Sequence, residues 1–572
     1  MWYKRTMVMV ADTPDELAEL RRQLAALQAE NQGLQAKVQE AIAQRNVFRD
    51  AYERVRFELE LLKRRIFVAK AERVDTAQLE LEFADKLKEL EQLAGTEGMP
   101  PRPDAEQDGP GGKAPAAERK PRGRRDLRSF GLEEQRLELT DELFEKLVAE
   151  GKAERIGFEE SGRLCWQRGG LRCLVIARVK YQTIDARGES AIETTPMPAE
   201  AFPRSMAAPS LMAHIAVAKH CDGLPYARQE GILSRNGFTV DRSVMCRWGE
   251  ELGATLGETI VEAMRRDAMR TAFCVATDAT GVRIQPERQP DSNRRQPCRR
   301  GHFFVQIADR DHILFTYAAR ETSEAVKAMF TGFSGYVQAD AKSVFDILFR
   351  EDPDREEVGC WSHGRRKYWE AAIAKSAVAR EALARIGRIF ELDATWRDRR
   401  PSEILQFRQT HLKPHVEAFL DWAKVEFAQV QQVRGAVRDA LGYTVRQRDP
   451  LMTFLSDGRL QMTNNGSERE LRPIAAGRKA WLFCGSDEHA QAAAELMSLI
   501  ASAKLHRLDP ERYLRDVIRV LPHWPRDRYL ELSPKHWAAT RARLDGVQLA
   551  AEYGPLDLPP PAEPAAEERA AD

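Results

Sequence analysis

Apolar side chains recur every seven residues near the start of the chain. Leu17, Leu24, Asn31, Val38, Arg45, Tyr52, Leu59 and Ile66 share one register, and Leu20, Leu27, Leu34, Ala41, Phe48, Val55 and Leu62 share the other. A seven-residue repeat sustained this long buries a seam between helices and predicts a coiled coil over residues 14–94. Asn31 on the seam is a device for fixing register and a two-stranded state at some cost in stability. If helical throughout, residues 17–66 span ~75 Å at 1.5 Å per residue, enough to join two protomers through this segment alone. The alternative is a helical hairpin folded back on the body.

Periodicity then stops. Residues 95–126 are rich in Pro, Gly, Ala and charge and read as a flexible linker. Residues 127–200 form a small α+β region, with a short helix at DELFEKLVAEG and strands around Arg163–Gln167 and Leu171–Lys180. In residues 201–262, SLMAHIAVAKHCDG has helical spacing, and YARQEGILSRNGFTVDRSVMCRWGEEL reads as helix, Asn236-Gly237 turn, helix. The second helix would present Arg242, Ser243 and Arg247 near one face. A helix-turn-helix places such a helix in the DNA major groove, and an ordinary helical pair packed on the core fits the same pattern equally well.

Strand alternation dominates residues 263–367. AFCVATDATGVRIQ reads as a buried strand with Asp278 in its middle, HFFVQIAD and HILFTYAA as two more, SEAVKAMF as a crossover helix, and GYVQAD as a strand ending on Asp340. A helical run follows at 341–349, and GCWSH is the next expected strand, backed by a long helix. Residues 368–457 are almost wholly helical by pattern, broken at Pro401 and Pro450. Residues 458–522 carry the Glu468 helix and closing helices, and 523–572 form a tail expected to be disordered after about Leu556.

Three carboxylates stand out in this arrangement. An acidic residue inside or at the tip of a buried strand is expensive unless it is paired or bound to a metal. Glu468 lies in the first turn of a helix after the polar cluster Asn464-Asn465-Gly466-Ser467, with Arg469, Arg472, Arg478 and Lys479 nearby. Alone, that stretch also fits a capped surface helix in which Glu468 serves the helix dipole and pairs with Arg472. Two acidic strands and a helix carboxylate together suggest a metal site.

TDATGVRI, GYVQADAKSVFD, CWSHGRRKYWE and NNGSERELRPIAAGRKAWLFCGSD, in this order, resemble the insertion-sequence-66 family of bacterial transposases, across roughly residues 16–522. The resemblance implies a DDE-class enzyme: an α/β RNase H-like catalytic core with a large α-helical insertion, preceded by an N-terminal coiled coil and a small helix-turn-helix-like domain. It carries the catalytic triad onto Asp278, Asp340 and Glu468, holding two Mg²⁺ (or Mn²⁺) ions, and the spacing between Asp340 and Glu468 leaves room for the helical insertion. It implies DNA cleavage and strand transfer at terminal inverted repeats and target DNA, with Arg242, Arg247, Arg365, Arg366, Arg469, Arg472, Arg478 and Lys479 as DNA-binding candidates. His363, beside Arg365 and Arg366, is read as an accessory DNA or structural residue and not as a ligand. Small element-encoded accessory proteins are possible partners. Three departures stand against the pattern: Ala279 where an acidic residue is usual, Ala480 where asparagine is usual, and Glu488-His489 in place of a glycine pair.

Composition adds limits. Lys+Arg 88 balance Asp+Glu 88, so net charge does not advertise nucleic acid. Basic residues cluster instead at 120–128, 294–300 and 365–367, where they would neutralise phosphates or simply face solvent. The 8 cysteines include no C-x-x-C pair, which argues against a disulfide framework and a standard zinc module. Cys165 and Cys173 stand without partner pairs where the family often carries zinc, so no structural zinc is predicted. No apolar stretch approaches membrane-spanning length, and the expected location is the bacterial cytoplasm, on the nucleoid when bound. Two other classes compete: a catalytically impaired, transposase-derived DNA-binding protein, and a coiled-coil assembly protein. The triad weighs against the first, and the second explains only the start of the chain.

Overall fold

The computed structural model describes residues 132–167, 170–184, 190–286, 296–373 and 376–562, with Gly33 and Leu127. The heptad segment, apart from Gly33, and the linker lie outside the described residues, as do residues 287–295 of the arginine-rich loop. From Leu127 onward, the described residues belong to one compact unit, Lys120–Asp572.

A first sheet combines β1 (Glu134–Leu139), β2 (Ala153–Gln167), β3 (Gly170–Ile184) and β4 (Ser190–Thr194), with α1 (Glu142–Ala149) between β1 and β2. β3 pairs in parallel with β1 and antiparallel with β2 and β4. Cys173 faces Leu164 across the β2–β3 ladder, whereas Cys165 faces Arg172. Successive strand residues point to opposite faces, so the two thiols enter different hydrophobic clusters.

Helices α2 (Pro209–His220), α3 (Tyr226–Arg235), α4 (Arg242–Leu256) and α5 (Glu262–Thr271) come next. Gly237, at φ 94°, lets the chain turn between α3 and α4, and Asp241 caps α4 by accepting the Ser243 N–H at 2.8 Å.

The central sheet holds β5 (Cys274–Ile284), β6 (Arg299–Ala308), β7 (His312–Ala318), β8 (Gly335–Ala339) and β9 (Arg355–Gly359), with α6 (Ser323–Met329) and α7 (Asp346–Glu351) flanking β8. Spatial order is β7-β6-β5-β8-β9. β5, β6 and β7 are antiparallel neighbours, while β8 and β9 run parallel to β5.

A helical segment follows: α8 (Trp361–Ile373), α9 (Ala377–Ala394), α10 (Pro401–Phe407), α11 (Lys413–Val430), α12 (Ala436–Arg446) and α13 (Arg448–Thr453). It has its own core around Trp361, Tyr368, Phe419 and Phe454. The chain then returns through α14 (Asn465–Trp481), α15 (Asp487–Leu505) and α16 (Pro510–Val520), ending with α17 (Pro534–Ala542) and α18 (Gly546–Ala550).

β7 is an edge strand, yet its exposed backbone is satisfied. Ser498 and Ser502 of α15 accept the Phe315 and Ile313 N–H groups at 2.7 and 2.9 Å. Small side chains along α15 permit this close approach, and the helix shields an edge that would otherwise invite pairing.

Arg408 fastens the helical segment to the turn before α14. It is buried, its Nε donates to Asp393 at 2.9 Å, and one terminal nitrogen donates to the carbonyls of Phe454, Asp457 and Leu460 at 2.8, 3.0 and 2.9 Å.

Three expectations are corrected. GCWSH is not a strand: β9 stops at Gly359, and Trp361 opens α8, with its N–H donating to Met462 O at 3.2 Å. The run after Asp340 becomes helical only at Asp346, because residues 341–345 form a turn in which the Lys342 N–H returns to Asp340 O at 2.8 Å. The first residues after Leu556 are held in place, since Arg528 donates to the carbonyls of Pro559 and Pro560, and before them Lys535 reaches Asp267 and Asp311 at 3.1 and 2.7 Å; residues 563–572 lie outside the described residues. Leu532, Trp537 and Leu549 are buried.

Burial and the neighbouring Asp346 carboxylate push Glu357 on β9 up to about 6. An acid raised in the folded state favours folding most below its ordinary value, and that contribution is lost as pH rises through the folded value. Glu357→Gln should therefore stabilise the protein by about 1–2 kcal/mol at pH 7.5 and leave it unchanged near pH 4, which chemical denaturation at the two pH values would measure.

Candidate active site

β5 is buried through Val275, Val282 and Ile284, and it carries Asp278 at its centre. The parallel pairing of Val275 with Val337 and Ala276 with Gln338 sets the register with β8. Continued two residues further, that register brings Asp278 of β5 and Asp340, just beyond β8, side by side. Asp278 Oδ1 accepts the Ala279 N–H at 2.7 Å. Burial, reinforced by the Asp340 charge, holds the Asp278 carboxyl above the usual carboxylate range.

Asp340 is also buried. Its Oδ2 lies 3.4 Å from Lys342 Nζ, while its Oδ1 is enclosed without a hydrogen-bond partner. Burial opposes the Lys342 charge, but the Asp340, Glu321 and Asp278 carboxylates outweigh it and raise its pKa.

Glu468 arrives in the first turn of α14, and buried Asn464 explains how that turn is placed. Asn464 Nδ2 donates to Thr277 O, the residue before Asp278, at 2.7 Å, and its backbone N–H points to Cys360 Sγ at 3.2 Å. The start of the glutamate helix is thus tied to both the aspartate strand and the start of α8.

His363 links the groups. Its Nε2 lies 3.7 Å from Glu468 Oε1, and it senses the charges of both Asp340 and Asp278. Cys360 alongside raises its pKa against the effect of burial, with the two aspartates adding to the rise. Arg366 stands 3.7 Å from the same Glu468 oxygen. His363 therefore stands beside Glu468 and within electrostatic reach of Asp278 and Asp340, while the three acids do not bring ligand atoms within 4.8 Å of one another.

The remaining candidates occupy the surroundings. Arg365 stacks over Phe390, Arg478 donates to Thr280 Oγ1 and Gly281 O at 3.2 and 2.6 Å, and Arg469, Arg472 and Lys479 are exposed on α14. Arg242 and Arg247 are exposed on α4. Reading the sequence missed Lys342 and Asn464 and assigned His363 only an accessory place. The signal for the first two was available: a lysine two residues after Asp340, and an asparagine directly before the helix that bears Glu468.

α14 ends abnormally. Leu482 has φ 67° and ψ −47°, and the Phe483 N–H returns to Trp481 O at 2.8 Å, a tight γ-turn of the rare positive-φ kind. Leu482 is 59% exposed, so its side chain offsets little of that strain. Leu482→Gly should leave stability unchanged or raise it by up to about 1 kcal/mol, whereas the same change inside a helix costs about 1 kcal/mol. Thermal melts would distinguish the two outcomes.

The donor set fits hard divalent cations. Carboxylate oxygens suit Mg²⁺ or Mn²⁺, and a buried carboxylate oxygen without a partner is costly unless a cation meets it. Asp340 Oδ1 is such an atom, and Thr277 Oγ1, Asn464 Oδ1 and Ser467 Oγ nearby are likewise enclosed without partners.

Relatives exist in Sinorhizobium fredii (strain NBRC 101917 / NGR234). Uncharacterized protein y4qI is 26% identical over 397 residues, covering 66% of this chain and 71% of its own, and Uncharacterized protein y4hP is 27% identical over 405 residues with the same shares. Uncharacterized protein y4jD is 25% identical over 367 residues, 61% of this chain and 70% of its own. Family models match as well: the IS66 C-terminal element over residues 498–534, and Transposase IS66 family over residues 204–492, a stretch that includes Asp278, Asp340, His363, Asn464 and Glu468. With more than half of its length matched, the chain belongs to the IS66 family of transposases.

Proposed function

We propose that this transposase cuts and joins DNA at the ends of an insertion sequence through Asp278, Asp340 and Glu468, within an RNase H-like core. The reading rests on one observation: the β5–β8 register sets Asp278 beside Asp340, whose buried Oδ1 has no partner, and His363 links this pair to Glu468. The sheet order β7-β6-β5-β8-β9, with β6 alone antiparallel to both its neighbours, supports the RNase H-like assignment.

Asp278, Asp340 and Glu468 would hold divalent cations, Mg²⁺ or Mn²⁺, which activate a hydroxyl nucleophile and stabilise the leaving oxygen at phosphorus. Asn464 orients the glutamate helix toward Asp278. Lys342 and Arg366 hold Asp340 and Glu468 while contributing positive charge for a phosphodiester. His363 occupies the space among the carboxylates and balances their charge.

The DNA runs across the cationic surface of Arg366, Arg469, Arg472, Arg478 and Lys479, with Arg365 at its margin. α3 and α4 act as a helix-turn-helix whose Arg242 and Arg247 contact element ends. The N-terminal heptads join two protomers. No helix among the described residues is long and apolar enough to cross a membrane.

The test uses the purified full chain, a duplex carrying the repeats that flank its coding region, and Mg²⁺ or Mn²⁺. Divalent-dependent nicking at the repeat ends is expected. Binding without nicking under all conditions would favour a transposase that retains DNA recognition alone, the reading to which Ala279 and Ala480 give weight.

A further inference from the structure

A second group of ligand-type side chains lies away from the carboxylates and shares no residue with them. Cys246 and Glu250 sit one turn apart on α4, and His489 sits in the first turn of α15, where Ser486 caps the helix by accepting the His489 N–H at 3.0 Å. His489 Nδ1 is 3.2 Å from Cys246 Sγ and 3.0 Å from Glu250 Oε1, and one donor atom from each residue lies within 4.8 Å of the others.

Around a tetrahedral zinc ion, bond lengths of ~2.0–2.3 Å place neighbouring donor atoms roughly 3.4–3.6 Å apart. The observed separations fall a few tenths of an ångström short, which side-chain rotation supplies. A single Nδ1 hydrogen cannot satisfy a thiol and a carboxylate equally well, whereas a cation in its place meets all three donors.

We propose that Cys246, Glu250 and His489 form a zinc-class metal site that fastens α4 to the start of α15, with solvent in the fourth position. A mixed thiolate, imidazole and carboxylate set selects a borderline-soft transition cation over Mg²⁺. His489 is almost fully enclosed, and Glu250, about one-third exposed, leaves a path for entry. Behind the ring, Lys219 Nζ lies 2.9 Å from Nε2 and fixes its orientation. Binding displaces the Cys246 thiol proton. The site would clamp the segment that follows the Glu468 helix against the α3–α4 pair.

The probe is Co²⁺ titrated into the metal-free full chain, because cobalt bound by thiolate gives a charge-transfer absorption that an oxygen-only site lacks. One equivalent should produce the band, Zn²⁺ should displace it, and Cys246→Ser and His489→Gln should each weaken binding at least ~10-fold. Cys298→Ser, which removes an exposed thiol, and Asp340→Asn should leave the band intact. Absence of the band from the wild-type chain overturns the site without reference to any variant's folding, as does a band that survives both ligand substitutions. DNA nicking does not enter this readout, so the carboxylate reading stands or falls separately.

Discussion

Asp278→Asn should slow divalent-dependent nicking by at least ~10³-fold while making the metal-free protein more stable. The two effects share one cause. Asp278 Oδ1 accepts the Ala279 N–H, which an asparagine oxygen retains. Only the charge is lost, and that charge is opposed by burial and by Asp340. Relief of this repulsion is worth on the order of 1 kcal/mol in the absence of metal, and a site that is less stable than it need be is the usual mark of function. Thermal melts with and without Mg²⁺ or Mn²⁺ give the second readout: cations should raise the wild-type midpoint and move the variant far less. Nicking by Asp278→Asn at the wild-type rate would refute the assignment, and a lower midpoint in metal-free buffer would remove the electrostatic part.

The largest loss of stability is expected at Arg408, whose hydrogen bonds go to Asp393, Phe454, Asp457 and Leu460 and to no carboxylate of the triad. Arg408→Ala strands the Asp393 carboxylate and three main-chain carbonyls that a single guanidinium now satisfies. Removing one partner from a buried charge network costs about 3–5 kcal/mol. Arg408→Lys keeps the charge but not the planar fork, so its loss should fall between wild type and alanine. Urea denaturation would rank the three proteins. A cost below about 1 kcal/mol for the alanine variant, the size of one ordinary hydrogen bond, would show that the turn through Phe454, Asp457 and Leu460 holds itself in place. Because that turn leads directly to Asn464, nicking should fall along with stability.

Local pattern makes much of the central sheet legible. The alternation around Asp278 and the paired runs about Arg310 and Asp311 correspond to β5, β6 and β7, because a half-buried strand displays its period of two directly. GCWSH has the apolar content of a strand, but Cys360 and Trp361 are buried for a different reason: Trp361 is a core anchor of the helical segment, its indole N–H donating to Leu451 O at 2.9 Å. The Pro, Ala and Glu content of the last residues resembles solvated chain, whereas arginine donors hold the proline carbonyls up to Pro560.

Site geometry is legible only in part. The three acids are visible through strand and helix context, but the hydrogen bond that orients Glu468 depends on Asn464 meeting Thr277, an encounter no local spacing encodes. The Cys246, Glu250 and His489 group lies further out of view. Cys246 and His489 are 243 positions apart, and a search for short cysteine spacings passes over both.

The Asn464 bond to Thr277 spans 187 positions of sequence. A polypeptide leaving the ribosome therefore displays both aspartates long before the segment that bears the glutamate has been synthesised. Truncated or frameshifted copies ending anywhere in the helical segment would keep the α3–α4 pair and its arginines, yet lack the third acid. If α3 and α4 bind element ends as proposed above, such fragments would occupy those ends without cutting them, and interrupted synthesis would yield competitive inhibitors of the intact enzyme.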